Sequence, residues 1–379
     1  ITYTGTGTAG SLRGFRITGG VGGILCNAGT APTIESNCIT GNSGSTYGGG
    51  IYCVGSMNST AVPSIIGNLI TANSAGIGGG IRCHGYTLSQ SGAGKMPLIQ
   101  RNIIVNNEAH IGGGIDISLC NGANVPNCIV NNIIAENAVE SRGGGIHCYN
   151  SLNISIVNNT IADNEVRLQS SNLLGGGLCV ESTTNNSASA TVTNCILWHN
   201  RSRDSQGAIK YDEILLVNAG NSATVDVSYS DVHGALSYVT LGVFEDMAHF
   251  HSRGCINSDP GFSDEWRLGQ DSSCIDAGTC GSMQDIDSHL RPVDGDGEGG
   301  AGYDIGAHEY GATATLWGAP GDANLDCKVN VLDLIYIRNR LGQSRCTSNN
   351  WTADVNADGN INTMDLIYAR NHLNETCPD

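Results

Sequence analysis

A short glycine-rich motif returns at regular intervals and constrains the fold of this chain more than any other feature. Three glycines are followed by an apolar, a variable and a second apolar residue, and an incomplete copy, Gly22-Gly23-Ile24-Leu25-Cys26, comes first. The first apolar residues are Ile24, Ile51, Ile81, Ile115, Ile146 and Leu178, at spacings of 27, 30, 34, 31 and 32 residues. This period and the strand-like alternation predict an all-β solenoid of parallel coils that bury their apolar residues against their neighbours.

A second repeated pattern, built on asparagine, supports the same period. Stretches that begin and end with asparagine recur at 37–42, 68–73, 102–107, 132–137, 159–164 and, less regularly, 194–200. Asparagine tolerates left-handed backbone angles, and its amide can hydrogen-bond to the copies above and below. Two strand patterns and one variable turn in each repeat predict a coil with three sides.

Charge and hydropathy narrow the classes of partner. A formal net charge of −17 argues against nucleic acid and anionic membrane surfaces, and it fits an affinity for cations. Only 14% of the residues are charged while 53 are glycine, as expected for stacked β coils with tight corners. The sequence contains no apolar run long enough for a transmembrane segment.

Ten of the 15 cysteines form two groups. One group shares a ladder position with Ile117 and Val180, which predicts buried, reduced thiols in the core; it consists of Cys26, Cys53, Cys83 and Cys148. The other group lies outside the coils and is predicted to supply disulfide partners. Its members are Cys255, Cys274, Cys280, Cys327, Cys346 and Cys377.

The alternation also predicts which side chains face outward. If Ile51 and Cys53 point into the core, Tyr52 points outward, as does its equivalent in every coil. This outward column reads Leu25, Tyr52, Arg82, Asp116, His147 and Cys179, and the next reads Asn27, Val54, His84, Ser118, Tyr149 and Glu181. Adjacent strands lie about 4.8 Å apart, so Arg82, Asp116 and His147 are expected to be neighbours on an exposed face.

Two interpretations of this face stay open. In one, Arg82 faces the carboxylate of an acidic polysaccharide and His147 or Asp116 acts as the base. The candidate substrate-binding residues are then Tyr52, His84, Tyr149 and Glu181. Asp116 and Glu181 also offer the two carboxylates that glycoside hydrolysis requires. In the other interpretation, the column is a solvated surface with paired charges and no catalytic residue.

The coils resemble the right-handed parallel β-helix fold shared by pectate lyases, polygalacturonases and many bacterial surface proteins. The polygalacturonase motifs are not present as a set, because Asp231-Val232-His233-Gly234 and Cys83-His84-Gly85 are isolated fragments of it. The resemblance therefore implies a fold and carries no catalytic residue over. We expect the coils to occupy residues 1–235, with a first coil that exposes an unpaired strand edge.

Residues 236–312 differ in character from the coils. The segments 255–262, 273–278 and 303–310 resemble the C-terminal flank of secreted bacterial β-helix proteins, which implies an extracellular protein. Several charged residues here are expected to form a buried ion network or, alternatively, a cation site: Asp285, Asp287, Arg291, Asp304 and Glu309. The loop 294–298 is either solvated or calcium-binding.

After a linker at 313–320, two related loops carry the most specific motif of the chain. Their oxygen-bearing residues have the spacing of a calcium-binding EF-hand loop, although both loops end in Asp and not in Glu. The predicted ligands are Asp322, Asn324, Asp326, Lys328, Asn330 and Asp333 in the first loop, and Asp354, Asn356, Asp358, Asn360, Asn362 and Asp365 in the second. Each loop is expected to bind one calcium ion and to precede a helix, at 334–341 and 366–373.

Two such loops with exit helices resemble a dockerin module, predicted here at 321–379. The resemblance implies a small α-helical domain that binds a protein partner. The chain departs from the cellulosomal pattern at loop positions 10 and 11, where Val331-Leu332 and Thr363-Met364 replace the usual Ser-Thr. These residues predict an apolar docking face. Cys327 also replaces the usual glycine at position 6 of the first loop.

Together these features predict an extracellular or cell-surface protein that is not an enzyme. In this interpretation the β-helix assembles through its dockerin-like module, with a partner or with the next copy in a filament. The alternatives are a polysaccharide lyase or glycoside hydrolase displayed by its dockerin, and a carbohydrate-binding adhesin.

Overall fold

The predicted parallel β-solenoid is present. The computed structural model describes residues 1–5, 7, 9–55, 61–85, 94–123, 125, 127–167, 175–203, 206–241, 248–297, 301–312, 323, 328–343, 353, 355 and 361–374. Within these residues, successive strands of the solenoid pass through four long sheets in the order A, B, C and D. Neighbouring strands in each sheet are parallel, except that Arg201–Arg203 pairs antiparallel with Ile209–Tyr211.

The strands of the four sheets have the following bounds. Sheet A contains Thr2–Tyr3, Ile24–Cys26, Ile51–Val54, Ile81–His84, Ile115–Ser118, Ile146–Tyr149, Leu178–Ser182, Ile214–Asn218 and Val239–Leu241. Sheet B contains Ala9–Arg13, Ala31–Glu35, Ser64–Ile66, Leu98–Gln100, Ile129–Val130, Ile154–Val157, Ala188–Thr193, Ala223–Ser228 and Ala248–Arg253. Sheet C contains Arg16–Ile17, Cys38–Thr40, Leu69–Thr71, Ile103–Val105, Ile133–Ala135, Thr160–Ala162, Ile196–Trp198 and Asp231–Val232. Sheet D contains Ser45–Tyr47, Ser74–Ile77, Glu108–Ile111, Ala138–Arg142, Glu165–Val166, Arg201–Arg203 and Ile209–Tyr211.

The remaining elements are short. Gly94–Lys95 pairs with Cys120–Asn121, and Phe262–Asp264 forms a hairpin with Arg267–Leu268. A 3₁₀ helix spans Ala235–Tyr238, and two α-helices span Val331–Arg338 and Thr363–Asn371. In the described residues, neither α-helix is long and apolar enough to cross a membrane.

The first and third glycines of the repeated motif have different structural roles. The first turns the chain from sheet D into sheet A with a left-handed backbone, as at Gly48 and Gly78, where φ is 60° and 71°. The third lies against the coil above, since a Cβ at Gly50 would come 2.5 Å from the carbonyl oxygen of Gly80. Only glycine satisfies both requirements without strain, which explains why the motif returns in each coil.

The core contains the apolar columns that the alternation predicts. Ile51, Ile81 and Ile115 pair in register in sheet A and are fully buried. The cysteine column is confirmed as buried and free of disulfides; it comprises Cys26, Cys53, Cys83 and Cys148. Burial raises the pKa of the Cys148 thiol well above its usual value. These thiols therefore serve as small apolar side chains.

Two asparagine ladders run along the stack at the two ends of each sheet C strand. In each ladder Nδ2 donates to Oδ1 of the next asparagine at 2.9–3.0 Å. The B–C corner ladder consists of Asn37, Asn68, Asn102, Asn132 and Asn159, and the C–D corner ladder of Asn42, Asn73, Asn107, Asn137, Asn164 and Asn200. The predicted three-sided coil is wrong, because the chain passes through four sheets, A to D, and not through three.

Stacking continues beyond residue 235. Val239–Leu241 pairs with Ile214–Asn218 in sheet A, and Ala248–Arg253 pairs with Ala223–Ser228 in sheet B. The chain then packs against the outer face of sheet C, where Ile286 and Ala307 join a buried apolar cluster with strand residues. Backbone contacts from Thr279 and Ser282 satisfy the corner residues Asn194 and Asn158.

Four of the five charged residues of the predicted ion network are buried in this flank, whereas Asp287 is half-buried and pairs with Arg267. Arg291 and Glu309 are fully buried, with Nε and Oε2 3.3 Å apart, and Arg291 Nη2 donates to the carbonyl of Gly306 at 2.9 Å. Burial raises the pKa of Glu309 to about 8. Asp285 and Asp304 are also buried and accept backbone N–H groups.

The disulfide prediction for the flank is corrected in part. Cys255 and Cys274 are free thiols, and Cys274 Sγ instead contacts Asp231 Oδ2 at 3.3 Å inside the flank interface. Disulfide formation by Cys280 stays a prediction, and the other three predicted partners, Cys327, Cys346 and Cys377, lie outside the described residues.

The two C-terminal helices begin three residues before the predicted positions. Asn330 and Asn362 are N-caps whose side chains accept from the backbone N–H of Leu332 and Met364. Asp333 and Asp365 complete capping boxes by accepting from the N-cap backbone at 2.8 Å. The loop positions predicted as ligands thus also start the helices, which corrects the predicted bounds.

Candidate functional site

The predicted outward column exists in the predicted register on sheet A. Arg82 pairs with Tyr52 on one side and Asp116 on the other, and Asp116 pairs in turn with His147. The expected exposure is wrong, since Arg82, Asp116 and His147 are 6%, 0% and 3% exposed. Opposite charges on neighbouring strands contact one another here and are removed from water.

One imidazole connects two carboxylates. His147 Nδ1 lies 2.9 Å from Asp116 Oδ1, and its Nε2 lies 3.1 Å from Glu181 Oε2. Arg142 Nη1 donates to the second oxygen, Glu181 Oε1, at 2.8 Å. Ser118 Oγ donates to Asp116 Oδ2 at 2.9 Å. The two carboxylates therefore bind opposite edges of one ring, and their facing oxygens are engaged with it.

These charged residues form one connected series, called the ion chain here: Arg82, Asp116, His147, Glu181 and Arg142. Arg82 lies at one end of it, beneath two aromatic rings. Its Nε is 3.6 Å from Asp116 Oδ2, and its guanidinium carbon lies 4.1 Å from the ring centre of Tyr47 and 5.8 Å from that of Tyr52. A guanidinium at these distances is attracted by the negative faces of the rings. Nε and Nη1 are buried and have no hydrogen-bond partner among the described residues.

Contacts within this cluster shift the pKa values of His147 and Glu181 in opposite directions. Burial alone would lower the pKa of His147, but hydrogen bonds to Asp116 and Glu181 raise it well above its usual value. Burial likewise would raise the pKa of Glu181, but the contacts with His147 and Arg142 lower it. The raised pKa favours the imidazolium form of His147, which hydrogen-bonds to Asp116 and Glu181. Burial and the nearby charge of Arg82 lower the pKa of His84.

The candidate substrate-binding residues surround this chain unevenly. Tyr52, His84, Tyr149 and Glu181 are all half-buried. Tyr149 lies next to His147, with ring centres 6.2 Å apart, whereas His84 is adjacent to Ser118 in the second column. The structure brings Glu181 into the ion chain and leaves the other three at its margin.

Sequence reasoning missed Tyr47, which lies over Arg82, and two further features of this site. Arg142 lies at the end of a sheet D strand, directly before the Gly143 turn, and reaches across the corner to Glu181. Cys179 was placed in the outward column without a role, yet it groups with His147 and Glu181. The position of an arginine just before a glycine motif was the available signal for Arg142.

A second polar cluster was also missed, near the end of the C–D corner ladder. Asn200 Nδ2 donates at 2.6 Å to Oε2 of the fully buried Glu213, and burial raises the pKa of Glu213 to about 7. His233 Nδ1 is 3.4 Å from Glu213 Oε1, and its ring centre lies 4.5 Å from those of Trp198 and Tyr211. The isolated fragment 231–234 was the only sequence signal.

The described parts of the two loops suit a hard cation. Asp333 and Asp365 are fully buried carboxylates, and Asp333 Oδ1 also accepts from the backbone N–H of Ala323 at 2.9 Å. Asn330 and Asn362 add amide oxygens beside them, and oxygen-only donor sets are those that calcium prefers. The remaining predicted ligands except Lys328 lie outside the described residues: Asp322, Asn324, Asp326, Asp354, Asn356, Asp358 and Asn360.

The two helices share a small core and expose apolar side chains on their outer faces. Ile337 and Ala369 are buried together with residues from the loops. Five large apolar residues have exposures of 62%, 54%, 44%, 55% and 42%: Val331, Leu332, Ile335, Met364 and Ile367. The apolar face predicted from loop positions 10 and 11 is thus present on both helices.

Comparison with known proteins gives one result for this region. Residues 320–374 match the family model described as the Dockerin type I domain. No curated protein and no solved structure shows a significant match to the chain.

Proposed function

We propose that this chain, a parallel β-solenoid carrying a dockerin type I domain at its C-terminal end, is a non-catalytic component of a protein assembly. A dockerin is an assembly module for a protein partner of the cohesin type, and proteins that carry one are generally extracellular or cell-surface components. The observation that carries the proposal is the exposed apolar face on both helices. Apolar residues at these exposures fit burial by a partner.

Calcium is the cofactor that this function requires, since dockerin type I domains typically bind it. Two ions are proposed, one for each loop, held by the carboxylates and amides that include Asp333 and Asp365. The ion offsets the charge of these buried carboxylates, which also fix the first turn of each helix. Calcium binding thereby orders the apolar face.

The ion chain on sheet A supports a structural role for the solenoid. Asp116 and His147 have almost no exposed surface. They hydrogen-bond to each other, and His147 also hydrogen-bonds to Glu181. A general base must reach the proton that it removes. The lyase or hydrolase alternative therefore requires a second conformation in which Asp116 and His147 become accessible.

Binding to a partner tests the proposal directly. We expect the calcium-loaded full-length chain to bind a member of a panel of recombinant cohesin domains in calorimetry. Leu332→Asp and Met364→Asp should together weaken binding more than tenfold, whereas Ile209→Asp, on the solenoid at 57% exposure, should not. Light scattering without cohesin would detect self-association as the alternative partner. No binding to any cohesin, or equal binding by the double variant, contradicts the proposal.

Catalysis is tested separately on the same protein. We expect incubation with acidic polysaccharides to give no new ends, as measured by reducing-sugar and unsaturated-product assays. Cleavage by the parent protein that is lost in His147→Asn, with folding retained, would establish the enzyme alternative.

A further inference from the structure

Three metal-ligating side chains converge on the outer face of sheet A. One ligand atom each from His147, Cys179 and Glu181 lies within 4.8 Å of the other two. The register explains this convergence, because Cys179 is directly opposite His147 and Glu181 lies two residues further along the same strand. Residues two apart on a strand share a face, so all three project together.

The surroundings orient these side chains as in known metal sites. His147 Nδ1 is held by Asp116 Oδ1 at 2.9 Å, which directs Nε2 toward Glu181 Oε2. Histidines that ligate metals usually donate the other ring N–H to a carboxylate in this way. Arg142 binds Glu181 Oε1 at 2.8 Å and leaves Oε2 on the side of the imidazole.

We propose that His147, Cys179 and Glu181 form a binding site for a divalent transition-metal ion of the Zn²⁺ type. Zinc bonds of about 2.0–2.3 Å to N, O and S place neighbouring ligands of a tetrahedron roughly 3.3–3.7 Å apart. The Nε2–Oε2 separation of 3.1 Å needs little change to reach this range. A thiolate and an imidazole favour zinc, cobalt or copper over calcium and magnesium, which distinguishes this site from the dockerin loops.

The exchange of two protons for one divalent metal ion balances in charge and in atoms. If the three groups start as a neutral thiol, an imidazolium and a carboxylate, their total charge is zero. Metal binding breaks the S–H and Nε2–H bonds, releases two protons to water, and forms bonds from the ion to sulfur, nitrogen and oxygen. The total charge stays zero, so the paired charges of Arg82, Asp116 and Arg142 need not rearrange.

The site is closed on the core side and more open at Glu181. The side chains of Asp116 and His147 are 1% and 4% exposed, whereas those of Glu181 and Arg142 are 15% and 25% exposed. A metal ion would enter past Arg142. Once bound, it would connect the strands Ile146–Tyr149 and Leu178–Ser182, and we expect it to stabilise the stack at this coil.

Cobalt is the probe for the experiment. The full-length protein, kept in excess calcium to occupy the dockerin loops, is titrated with Co²⁺ under reducing conditions and followed by absorption spectroscopy. We expect a thiolate-to-cobalt charge-transfer band that saturates at one ion per chain and disappears when Zn²⁺ is added. Cys179→Ser should abolish the band, and Glu181→Gln should keep it with at least tenfold weaker binding.

The control is Cys255→Ser, which removes a more accessible free thiol in the C-terminal flank and should leave the band unchanged. Circular dichroism establishes that each variant is folded, and zinc should raise the melting temperature of the parent but not of Cys179→Ser. A folded parent without the charge-transfer band overturns the proposal. An unchanged band in folded Cys179→Ser overturns it as well.

Discussion

Asn200 donates a hydrogen bond of 2.6 Å to Glu213, so a carboxyl group ends the ladder that begins at Asn42. At every other step of this ladder the acceptor is the amide oxygen of an asparagine, which is neutral at all pH values. At the last step the acceptor titrates, and its burial couples the end of this ladder to pH.

Glu213→Gln should therefore change the pH dependence of stability. The folded-state pKa of Glu213 is raised from 4.5 to about 7 because burial disfavours the carboxylate. A raised acid pKa makes the folded state bind more protons, so stability falls as pH rises from about 4.5 to 7, by about 3 kcal/mol. The variant lacks this loss and should be more stable than the parent at pH 8 and similar at pH 4.5. Denaturant unfolding at the two pH values measures the difference.

The matched control is Glu140→Gln, because the Glu140 side chain is 60% exposed. Other buried acids titrate in the same range, including Asp231 with a pKa of about 6, but they are common to parent and variant. An equal pH slope in parent and Glu213→Gln would show that the ladder end does not titrate as inferred.

Asn107→Asp should be strongly destabilising. The side chain is buried, and its Nδ2 donates to the carbonyl of Ile70 at 2.9 Å and to Asn137 Oδ1 at 3.0 Å. Aspartate removes both donors and places a carboxyl group against their acceptors, at a cost of about 3 kcal/mol or more. The same change at its exposed neighbour, Asn106→Asp, should cost less than about 1 kcal/mol. Comparable free energies of unfolding for the two variants would contradict a structural role for the ladder.

The ion chain on sheet A changes an expectation drawn from the sequence. If Arg82, Asp116 and His147 were exposed, their replacement by alanine would leave stability unchanged. Because they are buried, Asp116→Asn leaves Arg82 and the imidazolium without their shared carboxylate and should cost about 3–5 kcal/mol. Replacement of all three by alanine should cost less than the sum of the single changes, since the charges leave together.

The control for Asp116 is another aspartate–histidine pair. Asp226 Oδ1 lies 2.7 Å from His251 Nδ1, with side chains 57% and 67% exposed. Exposed pairs contribute about 0–1 kcal/mol, so Asp226→Asn should have little effect on the unfolding free energy. An Asp116→Asn variant as mild as Asp226→Asn would argue that the sheet A chain is solvated.

Calcium removal should unfold the dockerin helices and leave the solenoid intact. Helices of eight and nine residues are unstable alone, and their capping carboxylates repel other loop oxygens without an ion. We expect calorimetry to count two ions, with one lost in Asp333→Ala and one in Asp365→Ala. Lys328→Ala is the control, because position 7 of the loop contributes its backbone carbonyl. A stoichiometry of two in either aspartate variant would refute the assignment.

Short-range chemistry determined what the sequence predicted correctly. The coil period and the register of sheet A follow from the spacing of glycine motifs and from alternation along a strand, as Ile51, Cys53 and Tyr52 show. The dockerin module is likewise recognisable because its loop motif is contained within twelve residues. The helix after the first loop nevertheless begins earlier than predicted, because the side chain of Asn330 caps it with a local hydrogen bond.

Tertiary structure decided the features that depend on residues far apart in the chain. Arg142 reaches Glu181 across 39 residues and a corner, and no local pattern records that contact. Alternation predicts that Asp116 faces away from the core, but whether water reaches it depends on the surfaces packed around it. The same is true of Glu213, whose burial at the end of a ladder sets its pKa. Alternation along a strand thus determines which way a side chain points. The packing of neighbouring coils determines its exposure to solvent, its partners and its charge.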